Sequence, residues 1–177
     1  MEKDVTGPAG DAGGGGNEGP DLGHPSPPVP ELRVARVTEA MEHPNADRLL
    51  VLRIHLGTEE RQIVAGIRGH YEPTDLVGRS IVVVVNLQHA KLRGEWSQAM
   101  LLAAEDQDGR LGLLLAPDAE PGTPVGVAGG PLPSPEITFA GFHENTLTAS
   151  PEGVTLNGAR LEGARLVMDR GVHGQLK

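Results

Sequence analysis

Residues 49–56 read Leu-Leu-Val-Leu-Arg-Ile-His-Leu, and the second half of this stretch alternates between apolar and polar side chains. One face of a strand built from it would carry four aliphatic side chains, those of Leu50, Leu52, Ile54 and Leu56. Arg53 and His55 would lie on the other face. Because successive side chains of a strand point to opposite faces, this period of two predicts a half-buried β-strand.

The sequence on both sides of this strand has a similar pattern of residue types from residue 32 to residue 115. Short runs of aliphatic and β-branched residues alternate with Gly, Pro, Asn and Asp, which are typical of turns. The expected strands are Leu32–Met41, Leu49–Leu56, Gln62–Ala65, Ile81–Val85, Gln98–Ala104 and Leu111–Leu115. A single helical turn is expected at Pro73–Val77, and the wholly apolar run Ile81–Val85 predicts burial on both faces. This spacing favours an all-β fold with a closed or nearly closed barrel.

The two ends of the chain differ from this central part. Residues 1–30 are dominated by Gly, Pro, Ser, Asp and Glu, and they bury too little apolar surface to offset their ordering entropy, so we expect a disordered tail. Further strands are expected at Ile137–Phe142, Thr146–Ala149, Val154–Leu156 and Arg165–Met168. Because so small a β-rich extension cannot hold a core of its own, we expect it to pack on the barrel. The predicted domains are therefore residues 1–30, 31–130 and 131–177.

Composition limits the cellular setting and the class of ligand. The 177-residue chain has no cysteine, which fits a reducing compartment, and no apolar stretch of membrane-spanning length. We therefore expect a cytoplasmic protein with no membrane partner. The net charge is −9, yet residues 32–104 hold nine basic and eight acidic side chains, so the excess acid lies at the two ends. Because polyanion binding depends on the local field, the central part is compatible with a nucleic-acid ligand.

The stretch of most functional interest is residues 91–100, Lys-Leu-Arg-Gly-Glu-Trp-Ser-Gln-Ala-Met. It combines two cations, a glycine, the single tryptophan of the chain and a Ser-Gln pair between two apolar strands. A loop that presents cations, hydrogen-bonding side chains and a stacking surface suits a flexible or irregular nucleic acid. An ordinary polar loop whose tryptophan covers the barrel end has the same composition, so composition alone leaves both interpretations open.

Five sequence blocks occur in the order of a known family. They are Leu32–Val37, His43–Leu49, Ile63–Ile67, Val82–Leu87 and Lys91–Ala104. These blocks resemble the tRNA-binding domain of stand-alone bacterial tRNA-binding proteins, of many bacterial methionyl-tRNA synthetases at their C-terminus, and of EMAP-type synthetase cofactors. The resemblance implies an OB-fold barrel that binds tRNA largely without regard to sequence. The chain departs from the family pattern at Ala35 and Ala99, where the family has Gly, and at Arg48, where it has Lys.

The resemblance also implies which residues contact RNA. Ser97, Gln98 and Met100 would shape the RNA-facing rim. Phosphate contacts would come from four cations, Arg36, Arg48, Lys91 and Arg93. Asn86 either hydrogen-bonds RNA or ties the end of its strand to the next loop, and both roles remain open.

Catalytic and metal chemistry find no support in the sequence. The seven histidines have no pair at metal-ligand spacing, so we expect no metal and no cofactor. Ser97 lacks the Gly-x-Ser-x-Gly elbow of a hydrolase, so we expect no enzyme. The prediction is a non-catalytic tRNA-binding protein that acts in trans, delivering tRNA to an aminoacyl-tRNA synthetase or protecting it. The alternatives are a polypeptide-binding module like the export chaperones of this superfamily, or a synthetase-docking module with the tail as its tether.

The C-terminal segment Phe142–Lys177 resembles the extra domain of EMAP-type cofactors. In that family the extension packs where a second subunit would lie in the shorter dimeric proteins. The resemblance implies a monomer that imitates a dimer. A β-rich cap that stabilises the barrel and says nothing about assembly is the alternative.

Overall fold

The computed structural model describes residues 26–177, and its first part is a β-barrel. The strands of this part are β1 (Leu32–Glu42), β2 (Leu50–His55), β3 (Glu60–Ala65), β4 (Ser80–Val84), β5 (Ala90–Leu92), β6 (Glu95–Ser97), β7 (Met100–Leu101), β8 (Ala103–Glu105), β9 (Leu111–Leu115) and β10 (Pro124–Val127). One helical turn, α1 (Pro73–Leu76), lies between β3 and β4. The predicted all-β barrel is confirmed.

Strand β1 organises the barrel because it belongs to both of its halves. Its first residues pair antiparallel with β4, from Leu32 opposite Val84 to Arg36 opposite Ser80. From Arg36 onward β1 pairs with β2, with a register shift between Val37 and Glu39, and β2 pairs with β3. A β-bulge of this kind bends a strand and increases its twist, which lets one long strand turn a barrel corner.

The barrel is closed between β3 and the chain that follows β6. The backbone N–H of Gln98 donates to the carbonyl oxygen of Gln62 at 2.8 Å. The N–H of Val64 donates to the Ser97 hydroxyl at 3.0 Å. These bonds connect the segment of residues 97–98 directly to β3, although the two do not form a regular ladder.

Strand β4 is buried on both faces, as its sequence predicts. Ile81, Val83 and Val85 point into the barrel interior, where they pack with the inward side chains of β2 and β3. Val82 and Val84 point outward into a second apolar core. The barrel therefore has an inner core and an outer core that share this strand.

The outer core is formed with the C-terminal extension. The extension contains α2 (Phe139–Phe142), β11 (Leu147–Ser150), β12 (Gly153–Leu156), β13 (Ala159–Glu162), β14 (Val167–Met168), a 3-10 turn (Asp169–Gly171) and β15 (Gly174–Gln175). Its buried apolar side chains, including Leu147, Val154 and Leu176, pack with Val82, Leu114 and their neighbours on the barrel. The extension thus packs on the barrel as expected.

A polar cluster also joins the extension to the barrel. The Tyr71 hydroxyl donates to the Asp169 carboxylate at 2.7 Å and accepts from the N–H of Leu113 at 3.2 Å. Arg79 pairs with the same carboxylate at 3.1 Å. A Cβ at Gly112 would overlap the backbone oxygen of Asp169, so this close approach requires glycine.

Two strand predictions are wrong. The segment Ile137–Phe142 contains the short helix α2, because the Thr138 hydroxyl accepts from the N–H of Gly141 at 2.9 Å and caps a helical turn. The expected strand Gln98–Ala104 is divided at Leu102, because β7 pairs with β4 whereas β8 pairs with β9. The chain changes neighbours at that residue.

The expected tail ends earlier than residue 30. Residues 1–25 lie outside the described residues. Val29, in contrast, donates its N–H to the Ser134 hydroxyl at 2.9 Å, and the carbonyl oxygen of Pro28 accepts from the Asn145 amide at 2.8 Å. Because these backbone groups have internal partners, residues 28–30 form part of the folded body.

Candidate nucleic-acid interface

Strands β5 and β6 form a hairpin with a two-residue turn, Arg93-Gly94. Leu92 lies opposite Glu95, and both turn residues have positive φ, +54° at Arg93 and +97° at Gly94. Two positive φ angles in a two-residue loop are the signature of a type I′ turn, whose twist matches that of the flanking strands. The turn therefore places an arginine at the tip of the hairpin in a conformation that favours Asn or Gly.

One face of the hairpin presents a cation beside an aromatic ring. Lys91 and Trp96 are direct cross-strand partners, and the Lys91 ammonium lies 5.8 Å from the centroid of the Trp96 ring. Trp96 is 51% exposed. An exposed cation–π pair of this kind contributes about 0.5 kcal/mol, which is too little to explain an exposed tryptophan by stability alone.

His43 joins the hairpin to the turn that follows β1. The imidazole is only 3% exposed, its Nδ1 accepts from the N–H of Asn45 at 2.9 Å, and its Nε2 lies 3.0 Å from the carbonyl oxygen of Leu92. These partners assign the tautomer with hydrogen on Nε2, which donates to Leu92. His43 therefore fixes the position of the hairpin relative to the turn of residues 43–49.

The Ser97 and Gln98 side chains are directed partly toward the barrel itself. The buried Ser97 hydroxyl donates to the carbonyl oxygen of Ala99 at 3.0 Å in addition to its bond from β3. The Gln98 side-chain oxygen accepts from the N–H of Gln62 at 3.0 Å. Both residues hold the segment in place, and Met100 is half-buried beside them on β7.

Asn86 makes internal hydrogen bonds of the kind that the second of its two expected roles requires. The side chain is 7% exposed, its oxygen accepts from the N–H of Glu31 at 2.8 Å, and its amide donates to the carbonyl oxygens of Val29 and Ser134 at 3.0 Å and 2.9 Å. With these internal bonds Asn86 ties the end of β4 to the segments on either side of the barrel.

The four candidate phosphate-binding cations share one property. They are exposed, and within residues 26–177 none of them forms an ion pair, whereas seven other arginines do. Paired arginines include Arg33 with Glu31 at 2.7 Å and Arg165 with Asp118 at 2.7 Å. The candidate cations thus carry charge that no described carboxylate neutralises.

The structure brings three of these cations to one end of the barrel. Lys91 and Arg93 lie on the hairpin that His43 holds, and Arg48 lies in the turn that His43 begins. Arg36 lies further along β1 opposite His55, roughly 20 Å from the end of the strand at about 3.3 Å per residue. The interface is therefore a cluster at the hairpin with Arg36 as an outlying member.

An apolar cavity of about 450 Å³ opens beneath the hairpin. The end of β3, the inner face of the hairpin and the chain around β7 form its walls, and Ser97 and Met100 line it. Phe139 of α2, which is 62% exposed, lies at its edge. The cavity adjoins the charged cluster from the other side of the same two strands.

Sequence reasoning missed the hairpin and its support. The sequence predicts a loop where the structure has a hairpin, and the signal that indicates a hairpin is the alternation on either side of the Arg93-Gly94 pair. Arg61, which donates to the carbonyl oxygens of Val85 at 2.7 Å and Gln98 at 3.1 Å, gave no signal, because a lone arginine in a strand is read as a surface charge. Burial of His43 likewise could not be read from its polar surroundings.

Within residues 26–177, no group of three or more His, Asp or Glu side chains is placed to hold a metal ion.

No helix formed by these residues combines the length and the apolar character that a membrane crossing needs.

Comparison with known proteins agrees with this geometry. The model of the family described as a putative tRNA binding domain matches residues 32–124. A methionine–tRNA ligase of Thermococcus kodakarensis is 50% identical over 90 residues, which are 51% of this chain and 12% of that protein. The chain thus spans only a small part of the length of this relative.

Two solved structures resemble the fold. The C-terminal domain of Plasmodium vivax p43 superposes with a TM-score of 0.73 at 24% identity and covers 84% of this chain and 96% of that one, so the likeness includes the extension. A methionyl-tRNA synthetase-related protein from Pyrococcus horikoshii has a TM-score of 0.51 at 35% identity, and the match covers 53% of this chain and 87% of that one.

Proposed function

The chain belongs to the tRNA-binding domain family, whose model matches more than half of it, and on this premise we propose that it binds folded tRNA without catalysing a reaction. The hairpin β5–β6 is the centre of the proposed interface. Arg48, Lys91 and Arg93 contact phosphates, with Arg36 as an additional contact further along β1. Ser97, Gln98 and Asn86 act as positioning residues, and Met100 lines the cavity below.

One observation carries this proposal. Two cations that have no acidic partner within residues 26–177 stand beside an exposed tryptophan on a hairpin that a buried histidine holds in place. A rigid, locally positive projection is suited to a polyanion, because fixed cations need little ordering on binding. This local arrangement counts for more than the whole-chain charge of −9, since the field of distant acids is screened within about 10 Å.

The proposed mode of recognition is shape and charge. The carboxamides that could pair with a base edge are already bonded inside the protein, Asn86 to three backbone groups and the Gln98 side-chain oxygen to the N–H of Gln62, and the exposed cations of the hairpin and the neighbouring turn are placed to contact phosphates. The protein would therefore bind tRNAs of different sequence with similar affinity. Acting in trans, it would deliver tRNA to an aminoacyl-tRNA synthetase or protect it.

We also propose that the protein is a monomer. The outer faces of β1, β4 and β9, which a second subunit would need, pack instead against the extension of the same chain. Leu32, Val34 and Val82 are each no more than 2% exposed in the single chain. Surface that is already buried has little apolar area left to drive dimerisation.

The experiment is a binding measurement with bulk tRNA and a charge-reversal pair. Lys91→Glu and Arg93→Glu together should weaken binding of all tRNAs about equally, by about 1–3 kcal/mol. Arg160→Glu, which reverses an exposed cation on β13 of the extension, is the control and should have a much smaller effect. Displacement of tRNA by an unfolded polypeptide, with little effect of the hairpin charges, would instead favour a polypeptide-binding function.

A further inference from the structure

We propose that the apolar cavity beneath the hairpin receives one unstacked nucleobase of the bound RNA. This inference rests on the proposed function and specifies how it works. The phosphates of the nucleotide lie on the charged side of the hairpin, and the base enters on the other side. Each strand of the hairpin thus contributes to both parts of the ligand.

The two faces of the hairpin differ in the way a nucleotide requires. Lys91 and Trp96 form one cross-strand pair, and the neighbouring pairs, Ala90 with Ser97 and Leu92 with Glu95, point to the opposite face because strand side chains alternate. Ala90, Leu92 and Ser97 line the cavity. A nucleotide likewise combines an apolar, stackable ring with an anionic phosphate.

The size and walls of the cavity fit a planar ring. Ligand pockets for small organic molecules occupy about 300–1,000 Å³, and this cavity of about 450 Å³ lies within that range. Its walls are aliphatic and include Ile67, Leu101 and Leu111. A base that enters loses water from both of its faces and needs no specific hydrogen bond to do so.

Exposed apolar side chains and polar side chains both lie at the cavity. Phe139 is 62% exposed and Leu92 is 38% exposed, although neither gains stability from contact with water. Exposed apolar side chains at a concave site mark a binding surface. Gln88, Glu105 and Lys177 also line the cavity and supply donors and acceptors for the edge of a base.

Charge at the cavity favours a nucleotide over a peptide side chain. An aliphatic side chain of a polypeptide would fill the same space but would gain nothing from the cations of the hairpin. Lys91 and Arg93 on the hairpin, together with Lys177 at the cavity, bring three cations to this site, against two carboxylates, that of Glu95 on the hairpin and that of Glu105 in the cavity wall. Complementarity with an anionic ligand therefore decides between the two occupants.

The test compares a short oligoadenylate with the same oligonucleotide in which the bases have been removed and the ribose phosphates kept. The intact protein should bind the base-containing form about tenfold more tightly, in line with one stacked base. Leu92→Ala and Phe139→Ala should reduce that ratio towards one. The affinity for the abasic form and the salt dependence of binding should not change.

Leu132→Ala is the matched control, because Leu132 is 87% exposed and does not line this cavity. It should leave both affinities unchanged. Equal binding of the two oligonucleotides by the unaltered protein overturns the inference without use of any variant. Displacement of the oligonucleotide by an uncharged apolar peptide also overturns it, because the cavity would then belong to a polypeptide.

The inference and the proposed function fail in different ways. If neither tRNA nor the oligonucleotides bind, the proposed function is wrong. If tRNA binds with strong salt dependence while base removal and the two cavity variants change nothing, only the nucleobase site is wrong.

Discussion

Two residues with positive φ show how a functional side chain is placed at the cost of local strain. Asn157-Gly158 forms the turn between β12 and β13, with φ of +52° and +88°, and Arg93-Gly94 forms the turn between β5 and β6. Asn tolerates the left-handed region well, and its side chain at position 157 also accepts from the N–H of Thr146 at 2.8 Å. Arg93 has no such advantage, so its presence at the turn requires another explanation, and the phosphate contact that we propose for it would supply one.

Replacement of Arg93 by asparagine should therefore separate stability from binding. Arg93→Asn should raise the free energy of unfolding by about 0.5–1 kcal/mol, because the left-handed conformation becomes less strained. The affinity for tRNA should fall, because one cation is lost. Urea unfolding and a tRNA titration on the same variant measure the two effects. Loss of stability together with unchanged affinity would contradict the role given to Arg93.

At the scale of the elements, the sequence predicts those strands whose pattern is strong. The period of two in Leu50–His55 and the apolar run of β4 correspond closely to observed strands. The strand predicted at Ile137–Phe142 is wrong, because so short a segment carries no clear periodicity and the Thr138 cap decides between helix and strand. The hairpin β5–β6 fails as well, because its turn uses Arg-Gly in place of Asn-Gly.

For the candidate site, as for the strands, the sequence predicts only what a local pattern contains. The four candidate cations can be proposed from the sequence, because each lies within one of the family blocks, and their contact with RNA stays a prediction. The internal partners of Asn86 and Ser97 cannot be predicted from the sequence, because Val29, Ser134 and Val64 are distant along the chain and meet these side chains only in the fold. Burial of a polar side chain depends on tertiary partners that no local pattern contains.

The variant Asn86→Ala tests whether Asn86 stabilises the fold or contacts RNA. Asn86→Ala removes a buried side chain that makes three hydrogen bonds to the backbone, at Val29, Glu31 and Ser134. The free energy of unfolding should fall by about 2–4 kcal/mol, because these backbone groups lose their partners. Affinity for tRNA should stay within about twofold under conditions where the variant is folded. Unchanged stability with a large loss of affinity would instead make Asn86 an RNA contact.

At the scale of the whole molecule, the barrel and the extension are joined by a titratable pair. Burial raises the pKa of Tyr71 to about 12, and the hydrogen bond to the Asp169 carboxylate acts in the same direction. Burial opposes the ionisation of Asp169, but the hydrogen bond from Tyr71 and the ion pair with Arg79 outweigh it and lower the pKa of that carboxyl. The neutral phenol is thus favoured in the folded state. Its stabilising effect is present below pH 10 and is lost as the pH rises from about 10 to about 12.

Because Tyr71 is the single tyrosine of the chain, its titration reports directly on the contact between the barrel and the extension. Absorbance of tyrosinate should have a midpoint of about 12 in the folded protein and of about 10 in urea. Asp169→Asn should lower the folded midpoint, because a neutral amide does not oppose the charge of tyrosinate. Asp118→Asn, at an exposed ion pair with Arg165, is the control and should not move it. A folded midpoint near 10 in the unaltered protein would mean that the extension does not dock at Tyr71.

The assembly state follows from the same docking. Because the extension covers the outer faces of β1 and β4, light scattering after gel filtration should give the mass of one chain, 18.6 kDa. Gly112→Ala should expose this surface, because a methyl group at position 112 overlaps Asp169 and displaces the extension. A mass of twice the chain for the unaltered protein would contradict the monomer.

The most direct test of the central claim is the salt dependence of tRNA binding. The account predicts that the logarithm of the association constant falls linearly and steeply with the logarithm of salt concentration. Neutralising Lys91 and Arg93 with glutamine should make that slope shallower by about two, one for each lost phosphate contact. A slope that is unchanged in this double variant, or a slope near zero in the unaltered protein, would show that the hairpin cations do not hold the RNA.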